Sequence, residues 1–202
     1  MLLAAGLALA GCAATPEPGR IADPLEPMNR KTHAFNKAVD THLVKRVSSG
    51  ASGGATGQAV QAVGNFGANL ALPGKAVNHL LQGKPAPAVR TTFRFLVNST
   101  LGFAGILDPA GKDFALPEED TDFGQTLAVW GVGEGVYLEL PLIGPSSSRD
   151  AAGRVVDIVI DPMRGWLNRD QYLIGMGARI ASKAGERGRF GDSVDSVLYE
   201  SA

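Results

Sequence analysis

The stretch DFGQTLAVWGVGEGVYLELPLIGPS, residues 122–146, decides how this chain folds. Phe123, Leu127 and Trp130 recur at helical spacing, which predicts a short helix. Three alternate glycines follow and should end that helix, because glycine permits backbone bends that other residues avoid; they are Gly131, Gly133 and Gly135. The stretch therefore predicts a helix that runs into a glycine-rich bend.

An almost wholly apolar run comes next, from Val136 to Pro145. Its composition suits a strand, but the chain offers no second run of equal quality to pair with it. An isolated strand is unstable in water. We therefore expect a structured apolar loop or hairpin here, and we expect that no sheet can be assembled.

Helical spacing of apolar residues dominates the rest of the chain. Asp23 is placed to cap the first helix and Ser148 to cap a later one. A break is expected at Leu72-Pro73-Gly74, because proline lacks an amide proton. The main apolar stripes are Met28, Thr32, Phe35, Val39 and Leu43; Ala59, Val63, Phe66 and Leu70; Val89, Phe93, Leu96 and Val97; Val155, Val156, Val159 and Ile160; Leu173, Met176, Ile180 and Ala184. They predict an all-α fold of seven or more helices, the last beginning near Asp192.

One uncharged segment has two interpretations. Thirteen residues without a charge lie between Arg94 and Asp108. They are too few to span a bilayer as a helix, yet they are long enough to cross about one leaflet at ~1.5 Å per residue. Spacing alone favours a core helix over a segment that lies in a leaflet.

The composition argues against a nucleic-acid-binding protein. The 202 residues carry a formal net charge of −1, with 45% hydrophobic and 19% charged residues. Proteins that bind nucleic acid usually carry a strong basic excess, which displaces counterions from the phosphates.

The sequence contains no recognisable catalytic, metal or cofactor motif. The histidines His33, His42 and His79 lack the spacing of a metal site. The alternate glycines lack the Gly-Lys-Ser/Thr ending of a phosphate loop, and a Gly-x-Ser-x-Gly elbow does not occur. Nothing in the sequence therefore commits the chain to catalysis, and we expect no cofactor.

The amino-terminal residues are typical of a bacterial lipoprotein. The uncharged run from Leu2 to Ala10 is too short to span a membrane and reads as the apolar part of a signal peptide. It ends in Leu9-Ala10-Gly11-Cys12, which resembles a lipobox. We expect residues 1–11 to be a signal peptide, Cys12 to be lipidated and residues 12–22 to form a tether. By analogy with lipoprotein sorting, Ala13 favours the outer membrane.

Five motifs together resemble the VacJ/MlaA family of outer-membrane phospholipid-transport lipoproteins. They occur in order over residues 23–150, behind the lipobox. The motifs are DPLEPMNR at 23–30, LQGKP at 81–85, RFLVNSTLG at 94–102, DFGQTL at 122–127, and WGVGEGVYLELPLIGPS at 130–146 with Arg149-Asp150. Members commonly continue past the point that corresponds to Ala202, which suggests a shortened sequence or a short member.

The resemblance implies a fold and a function. The expected fold is a ring of helices in one membrane leaflet, the inner leaflet of the outer membrane, around an amphipathic channel. Such a protein removes mislocalised phospholipids from the outer leaflet, often in association with a trimeric porin. It hands them to a soluble periplasmic carrier, and it is not an enzyme. The resemblance covers residues 23–202 as one helical domain, and it weakens after about Asp150.

The resemblance also implies which residues matter. A hairpin that borders the channel corresponds to Phe123 through Tyr137, with candidates Phe123, Gly124, Trp130, Gly131, Gly133, Gly135 and Tyr137. A control element on the first helix corresponds to Asn29, Phe35 and Asn36. An alternative role for the glycines is to permit close helix packing.

Two other functions stay open at this point. A structural envelope lipoprotein that acts as a scaffold would leave the lipid distribution unchanged. A lipid hydrolase would release fatty acid or lysophospholipid from vesicles. Neither has a motif in its favour.

Overall fold

The computed structural model describes residues 23–44 and 54–178, which are mostly helical. Several sequence predictions fall outside these residues. They concern the signal peptide, Cys12, the tether, the stripe positions Ile180 and Ala184, and the helix near Asp192.

Helices account for all but two short strands of the regular structure in the described part of the chain. We number the elements in chain order. They are α1 (Glu26–Val39, continued by a π-helical turn at Asp40–Val44), α2 (Gly54–Leu81), α3 (Pro85–Thr100), α4 (Pro109–Lys112), α5 (Phe123–Val129), β1 (Tyr137–Leu140), β2 (Gly144–Ser147), α6 (Ser148–Ile160), α7 (Met163–Trp166) and α8 (residues 169–178).

Three predicted helix boundaries are wrong. The N-cap of α1 is Leu25 rather than Asp23, whose carboxylate instead accepts a hydrogen bond from the Leu25 amide. The N-cap of α6 is Ser147 rather than Ser148. Helix α2 continues through Pro73. A proline removes only one hydrogen bond from the ladder of such a long helix. The neighbouring turns and tertiary packing therefore maintain the helix.

The apolar run does form a hairpin, but the expectation that no sheet could be assembled is wrong. Strands β1 and β2 pair antiparallel, with Tyr137 opposite Ser147 and Leu140 opposite Gly144. The connecting turn uses positive φ angles at Leu142 and Gly144, 66° and 92°. We call residues 137–147 the β-hairpin.

Two helix pairs make the most extensive helix–helix contacts of the described residues. Helices α2 and α3 make the most extensive contact, and the turn between them places Gly83 at φ +72°. Helices α5 and α6 meet through glycines, since a Cβ atom at Gly153 would lie 2.3 Å from the Gly124 nitrogen. Backbones therefore approach at this contact more closely than any larger side chain would allow.

Candidate functional site

The described part of the chain buries polar residues and exposes large apolar ones. Thirteen polar or charged residues are buried there, against eight hydrophobic residues, four of which are alanine. Twenty-six large hydrophobic side chains are exposed. Soluble proteins show the opposite distribution, because apolar burial drives their folding. This distribution gives an apolar exterior around a polar interior.

Helix α1 shows the inversion within a single element. Met28 and Phe35, on its predicted apolar stripe, are 48% and 50% exposed. The neighbouring stripe, Asn29, His33 and Asn36, faces the rest of the molecule, and Asn29 is only 5% exposed. On the predicted apolar stripe, Met28 and Phe35 face outward, whereas Thr32 and Val39 are half-buried.

Helix α3 and the loop after it repeat this arrangement. Val89 is 68% exposed and Phe103 is 73% exposed, with Phe93, Leu96, Leu101, Ile106 and Leu107 also exposed. The inward face of α3 carries three buried polar residues, Thr91, Arg94 and Asn98, together with Ala88 and Val97. The uncharged segment between Arg94 and Asp108 is therefore not the core helix that spacing favoured.

A charged clip holds that segment in place. The Arg94 guanidinium contacts both carboxylate oxygens of Asp108, at 2.8 and 2.9 Å, and also donates to the Leu116 carbonyl. Asn98 Nδ2 donates to Asp108 at 2.9 Å. Burial alone would raise the pKa of Asp108, but the Asn98 hydrogen bond and the Arg94 charge outweigh it and lower that pKa.

A second polar network links α2, α5 and α6. The fully buried Thr126 hydroxyl donates to Asn78 Oδ1 at 2.9 Å and accepts from Gln82 Nε2 at 3.1 Å. Asn78 Nδ2 donates to Asp157 at 2.8 Å. Burial raises the pKa of Asp157. The interior between these helices is thus hydrogen-bonded rather than apolar.

Two asparagines of α1 hold the free edge of the β-hairpin. Asn29 accepts from the Glu139 amide at 2.8 Å and donates to the Tyr137 carbonyl at 3.2 Å. Asn36 accepts from the Leu142 amide at 2.7 Å and donates to the Leu140 carbonyl at 3.0 Å. Both amides act as a third strand would, so we call this contact the asparagine clamp.

Helix and strand geometry explain why the clamp fits. Asn29 and Asn36 are two helical turns apart, a rise of about 10.5 Å at ~1.5 Å per residue. The backbone carbonyls of Tyr137 and Leu140, which accept from the two asparagines, are three residues apart in β1, about 10 Å along an extended chain. Because the two intervals agree, both amides reach the same strand edge.

Glu139 is buried beside the clamp. Its carboxylate accepts hydrogen bonds from the Tyr137 hydroxyl at 2.8 Å and from Asn36 Nδ2 at 3.1 Å, and His33 Nδ1 lies 3.4 Å away. Burial of the phenol group and its bond to Glu139 raise the pKa of Tyr137 to about 12. A buried carboxylate with these donors fixes the orientation of β1 against α1.

The glycine segment, residues 130–136, lies between α5 and the β-hairpin. Trp130 holds its start, because Nε1 donates to the Leu81 carbonyl at 3.0 Å and the ring packs edge-on against Phe123 with centroids 5.6 Å apart. Its end contacts Ser148 and Arg149 at the start of α6. The segment is therefore held at both ends.

The glycines of this region have different surroundings. A Cβ atom at Gly131 or Gly133 would meet nothing within 4 Å, although Gly131 has φ +88°. A Cβ atom at Gly135 would lie 2.1 Å from Ser148 Oγ, and one at Gly124 would lie 2.9 Å from Asp150 Cα. The packing role fits Gly124 and Gly135, whereas Gly131 and Gly133 face open space.

The sequence model of the MlaA lipoprotein family matches residues 21–202. The chain belongs to the MlaA lipoprotein family. This assignment confirms the resemblance drawn from the five motifs.

Individual relatives agree with the MlaA assignment. The chain is 37% identical over 166 residues to the intermembrane phospholipid transport system lipoprotein MlaA of Escherichia coli K12, covering 79% of this chain and 64% of the relative. An uncharacterised Rickettsia felis protein is 35% identical over 166 residues, covering 82% of this chain and 64% of that protein. The chain thus spans about 64% of the length of these curated relatives.

A solved structure has the same fold. It is described as the structural basis for maintenance of bacterial outer membrane lipid asymmetry. It matches with a TM-score of 0.70 and 31% identity over 86% of each chain. The mainly helical fold expected from the sequence is therefore confirmed for this MlaA family member.

The predicted site residues separate into three groups. Phe123, Gly124, Trp130, Gly131, Gly133, Gly135 and Tyr137 form one continuous stretch, made of α5, the glycine segment and the start of β1. Asn29 and Asn36 reach this stretch through Tyr137 and its neighbours, whereas Phe35 points outward. Cys12 lies outside the described residues.

Sequence reasoning missed Glu139, Ser148 and Gly153. Glu139 carries the single charge in the apolar run that follows the glycine segment, and such an isolated charge was a signal of a buried, hydrogen-bonded carboxylate. Ser148 was assigned to helix capping, and nothing in the sequence distinguished it from Ser147. Gly153 within α6 was a signal of close helix packing.

Two features are absent from the part of the chain that the structure describes. No helix there combines the length and the hydrophobicity needed to cross a membrane. No group of three or more His, Cys, Asp or Glu side chains in the same residues is placed to hold a metal ion.

Proposed function

We propose that this chain removes mislocalised phospholipids from the outer leaflet of the outer membrane and passes them to a soluble periplasmic carrier. The apolar exterior around a polar interior is the observation that carries this proposal. The E. coli relative is named as an intermembrane phospholipid transport lipoprotein, which supports the same function.

The exterior suits a protein seated in one leaflet. Side chains such as Val89, Phe93 and Phe103 expose apolar area that costs ~25 cal/mol per Å² in water. Monomeric soluble proteins rarely expose large contiguous apolar surfaces. Lipid tails would cover this area without burying any charge. A ring of helices in the inner leaflet of the outer membrane is therefore the arrangement that we propose.

The interior suits a path for a lipid headgroup. A charged headgroup that enters an apolar medium without partners costs several kcal/mol. The Thr126, Asn78 and Asp157 network shows that the space between α2, α5 and α6 tolerates polar groups. We propose that the headgroup follows a polar channel while the lipid tails stay in apolar surroundings.

The glycine segment and the asparagine clamp would control that path. The stretch from Phe123 to Tyr137 contains the glycine segment, in which Gly131 and Gly133 face open space. The clamp fixes the β-hairpin that directly follows it. In this proposal the segment borders the channel, and α1 controls it through Asn29 and Asn36, with Phe35 on its lipid side.

The amino terminus would supply the anchor. We propose that residues 1–11 are removed, that Cys12 is lipidated and that residues 12–22 connect the lipid to a single domain at 23–202. The domain would face the periplasm. Direction of transport would come from partners, which we propose to be a trimeric porin and the periplasmic carrier. No covalent step by this chain is required, so we propose that it is not an enzyme.

The decisive experiment measures phospholipid in the outer leaflet of cells. Cells that lack the gene are compared with cells that carry the intact chain or Cys12→Ala. We expect phospholipid to accumulate without the gene and to be removed only by the lipidatable chain. An unchanged leaflet in all three strains would contradict transport and favour a scaffold. Fatty acid or lysophospholipid released from vesicles by the purified chain would indicate a hydrolase instead.

A further inference from the structure

We propose that Ser148 is a positioning residue that fixes the carboxy-terminal end of the glycine segment. The inference rests on the proposed function, in which this segment borders the lipid path. It assigns a role outside helix capping to a hydroxyl at the start of α6.

The Ser148 side chain holds two backbone groups of the glycine segment at once. Its Oγ accepts a hydrogen bond from the Val136 amide at 3.1 Å and donates one to the Glu134 carbonyl at 3.2 Å. The Ser148 backbone amide also donates to the Val136 carbonyl at 2.9 Å. Three bonds from one residue therefore connect α6 to residues 134–136.

Gly135 lies between those two bonded residues and completes the contact. It has φ +73°, and a Cβ atom there would lie 2.1 Å from Ser148 Oγ. The next nearest atom, Ser148 Cβ, would be 3.5 Å away, which is ordinary contact. Apart from the strain of the positive φ, the hydroxyl oxygen is therefore the atom with which a side chain at position 135 would clash.

Arg149 strengthens the same connection. Its backbone amide donates to the Glu134 carbonyl at 3.1 Å, so that this carbonyl accepts two hydrogen bonds from α6. At the other end of the segment, Gly131 and Gly133 meet no atom within 4 Å of an added Cβ. Before Glu134 the segment is held through Val132, whose amide donates to the Leu127 carbonyl at 2.9 Å and whose carbonyl accepts from Arg149 Nη1 at 3.5 Å. Residues 134–136 therefore carry the denser set of bonds to α6.

The preceding serine provides a matched control. Ser147 Oγ accepts a hydrogen bond from the Asp150 amide at 3.1 Å and caps α6. Ser147→Ala and Ser148→Ala each remove one hydroxyl from adjacent residues. Only the second change removes contacts to the glycine segment.

The first test is amide hydrogen exchange of the full chain in lipid or detergent. We expect Ser148→Ala to increase exchange at Val136 at least tenfold and Ser147→Ala to leave it near the wild-type rate. Ser148→Thr keeps a hydroxyl and should restore protection, which covers the case in which Ser148→Ala does not fold. Equal Val136 exchange in the wild type and Ser148→Ala would overturn the inference, as would a failure of Ser148→Thr to restore protection.

The second test is a double-mutant cycle on thermal stability. Gly135→Ala should lower the melting temperature less in the Ser148→Ala background than in the wild type, because the clash with Oγ is gone. The positive φ penalty remains in both backgrounds. Additive effects of the two substitutions would contradict the inference.

Outer-leaflet phospholipid in cells carrying the same variants separates this inference from the proposed function. Neither the exchange test nor the cycle depends on lipid transport. If both succeed while deletion of the gene leaves the leaflet unchanged, the positioning role stands and the proposed transport fails. If Val136 exchange does not respond, the positioning role fails whatever the lipid result.

Discussion

Two junctions hold this molecule together by different means. Helices α2 and α3 make the most extensive packing contact of the described residues, and the Arg94–Asp108 clip fixes the loop that follows. Helix α1 meets β1 through the asparagine clamp, which is made of hydrogen bonds from Asn29 and Asn36. Packed helices separate only with a loss of dispersion contacts and of buried apolar area. The hydrogen bonds of an asparagine side chain, in contrast, can be exchanged for bonds to other polar partners.

We call the packed pair α2 and α3 the frame, and the contact between α1 and the β-hairpin the joint. Because packing holds the frame and hydrogen bonds hold the joint, we expect the frame to be fixed and the joint to be adjustable. The frame, α2 with α3, carries six of the twenty-six exposed large hydrophobic side chains, which are Val63, Leu80, Leu81, Val89, Phe93 and Leu96. The joint lies next to the glycine segment, because the β-hairpin directly follows that segment. Substitutions can therefore test whether the two junctions differ in stability and in their effect on lipid traffic.

The largest effect is expected at the frame. Arg94→Ala should lower the free energy of unfolding by about 3 kcal/mol, because it leaves the Asp108 carboxylate partly buried without its cation. Chemical denaturation in detergent measures this. Arg90→Ala is the matched control on the same helix, since the exposed Arg90–Glu119 pair should contribute less than about 1 kcal/mol. Equal effects of the two variants would contradict the assignment of the clip to the frame.

Acid should weaken the same clip by part of that amount. The pKa of Asp108 is lowered in the folded state, so its contribution is present above the unfolded value of 3.8 and is lost as the pH falls through the lower folded value. Stability measured from pH 6 downward should decline in this acid range. Asp108→Asn should flatten that part of the profile, and a profile identical to the wild type would exclude the effect.

The joint should respond less in stability and more in lipid transport. Asn29→Ala should lower the free energy of unfolding by about 2 kcal/mol, because it leaves the buried Glu139 amide and Tyr137 carbonyl without partners. Asn65→Ala is the control, since Asn65 makes one exposed bond to the Ile106 carbonyl. We expect outer-leaflet phospholipid to change with Asn29→Ala and to stay normal with Asn65→Ala. If outer-leaflet phospholipid changed with Asn65→Ala and stayed normal with Asn29→Ala, the asparagine clamp would not control lipid transport.

The smallest effects are expected within the glycine segment. Gly131→Ala should cost about 1 to 2 kcal/mol, because its φ of +88° disfavours a side chain. Gly133→Ala should change stability by less than about 1 kcal/mol, because it meets no atom and has no positive φ. Parallel melting curves measure both. If transport falls with Gly133→Ala at unchanged stability, free movement of the segment is required.

Sequence spacing predicted the helices well but could not determine which face of each helix is inside. The stripe with Met28 and Phe35 has the same periodicity whether it contacts a core or lipid tails. The polar stripe with Asn29 and Asn36 contained the missing information, because amides at helical spacing need partners when they are buried.

The strand pairing and the role of Ser148 were less accessible. Strand β2 reads Gly-Pro-Ser-Ser, which has no β-branched or aromatic residue, so its pairing depends on the turn and on β1 rather than on propensity. Ser147 and Ser148 have the same side chain. Only tertiary structure decides which hydroxyl caps α6 and which holds the glycine segment.

The asparagine clamp also sets an order of events in folding. Asn29 and the Tyr137 carbonyl are 108 residues apart in sequence, whereas Asn69 and Ser99, which connect α2 to α3, are 30 apart. Contacts between distant residues form after local ones, because the loop entropy must be overcome first. Although α1 is made before the other elements, it should therefore dock last, and native α1 contacts would mark a chain whose other elements have already assembled.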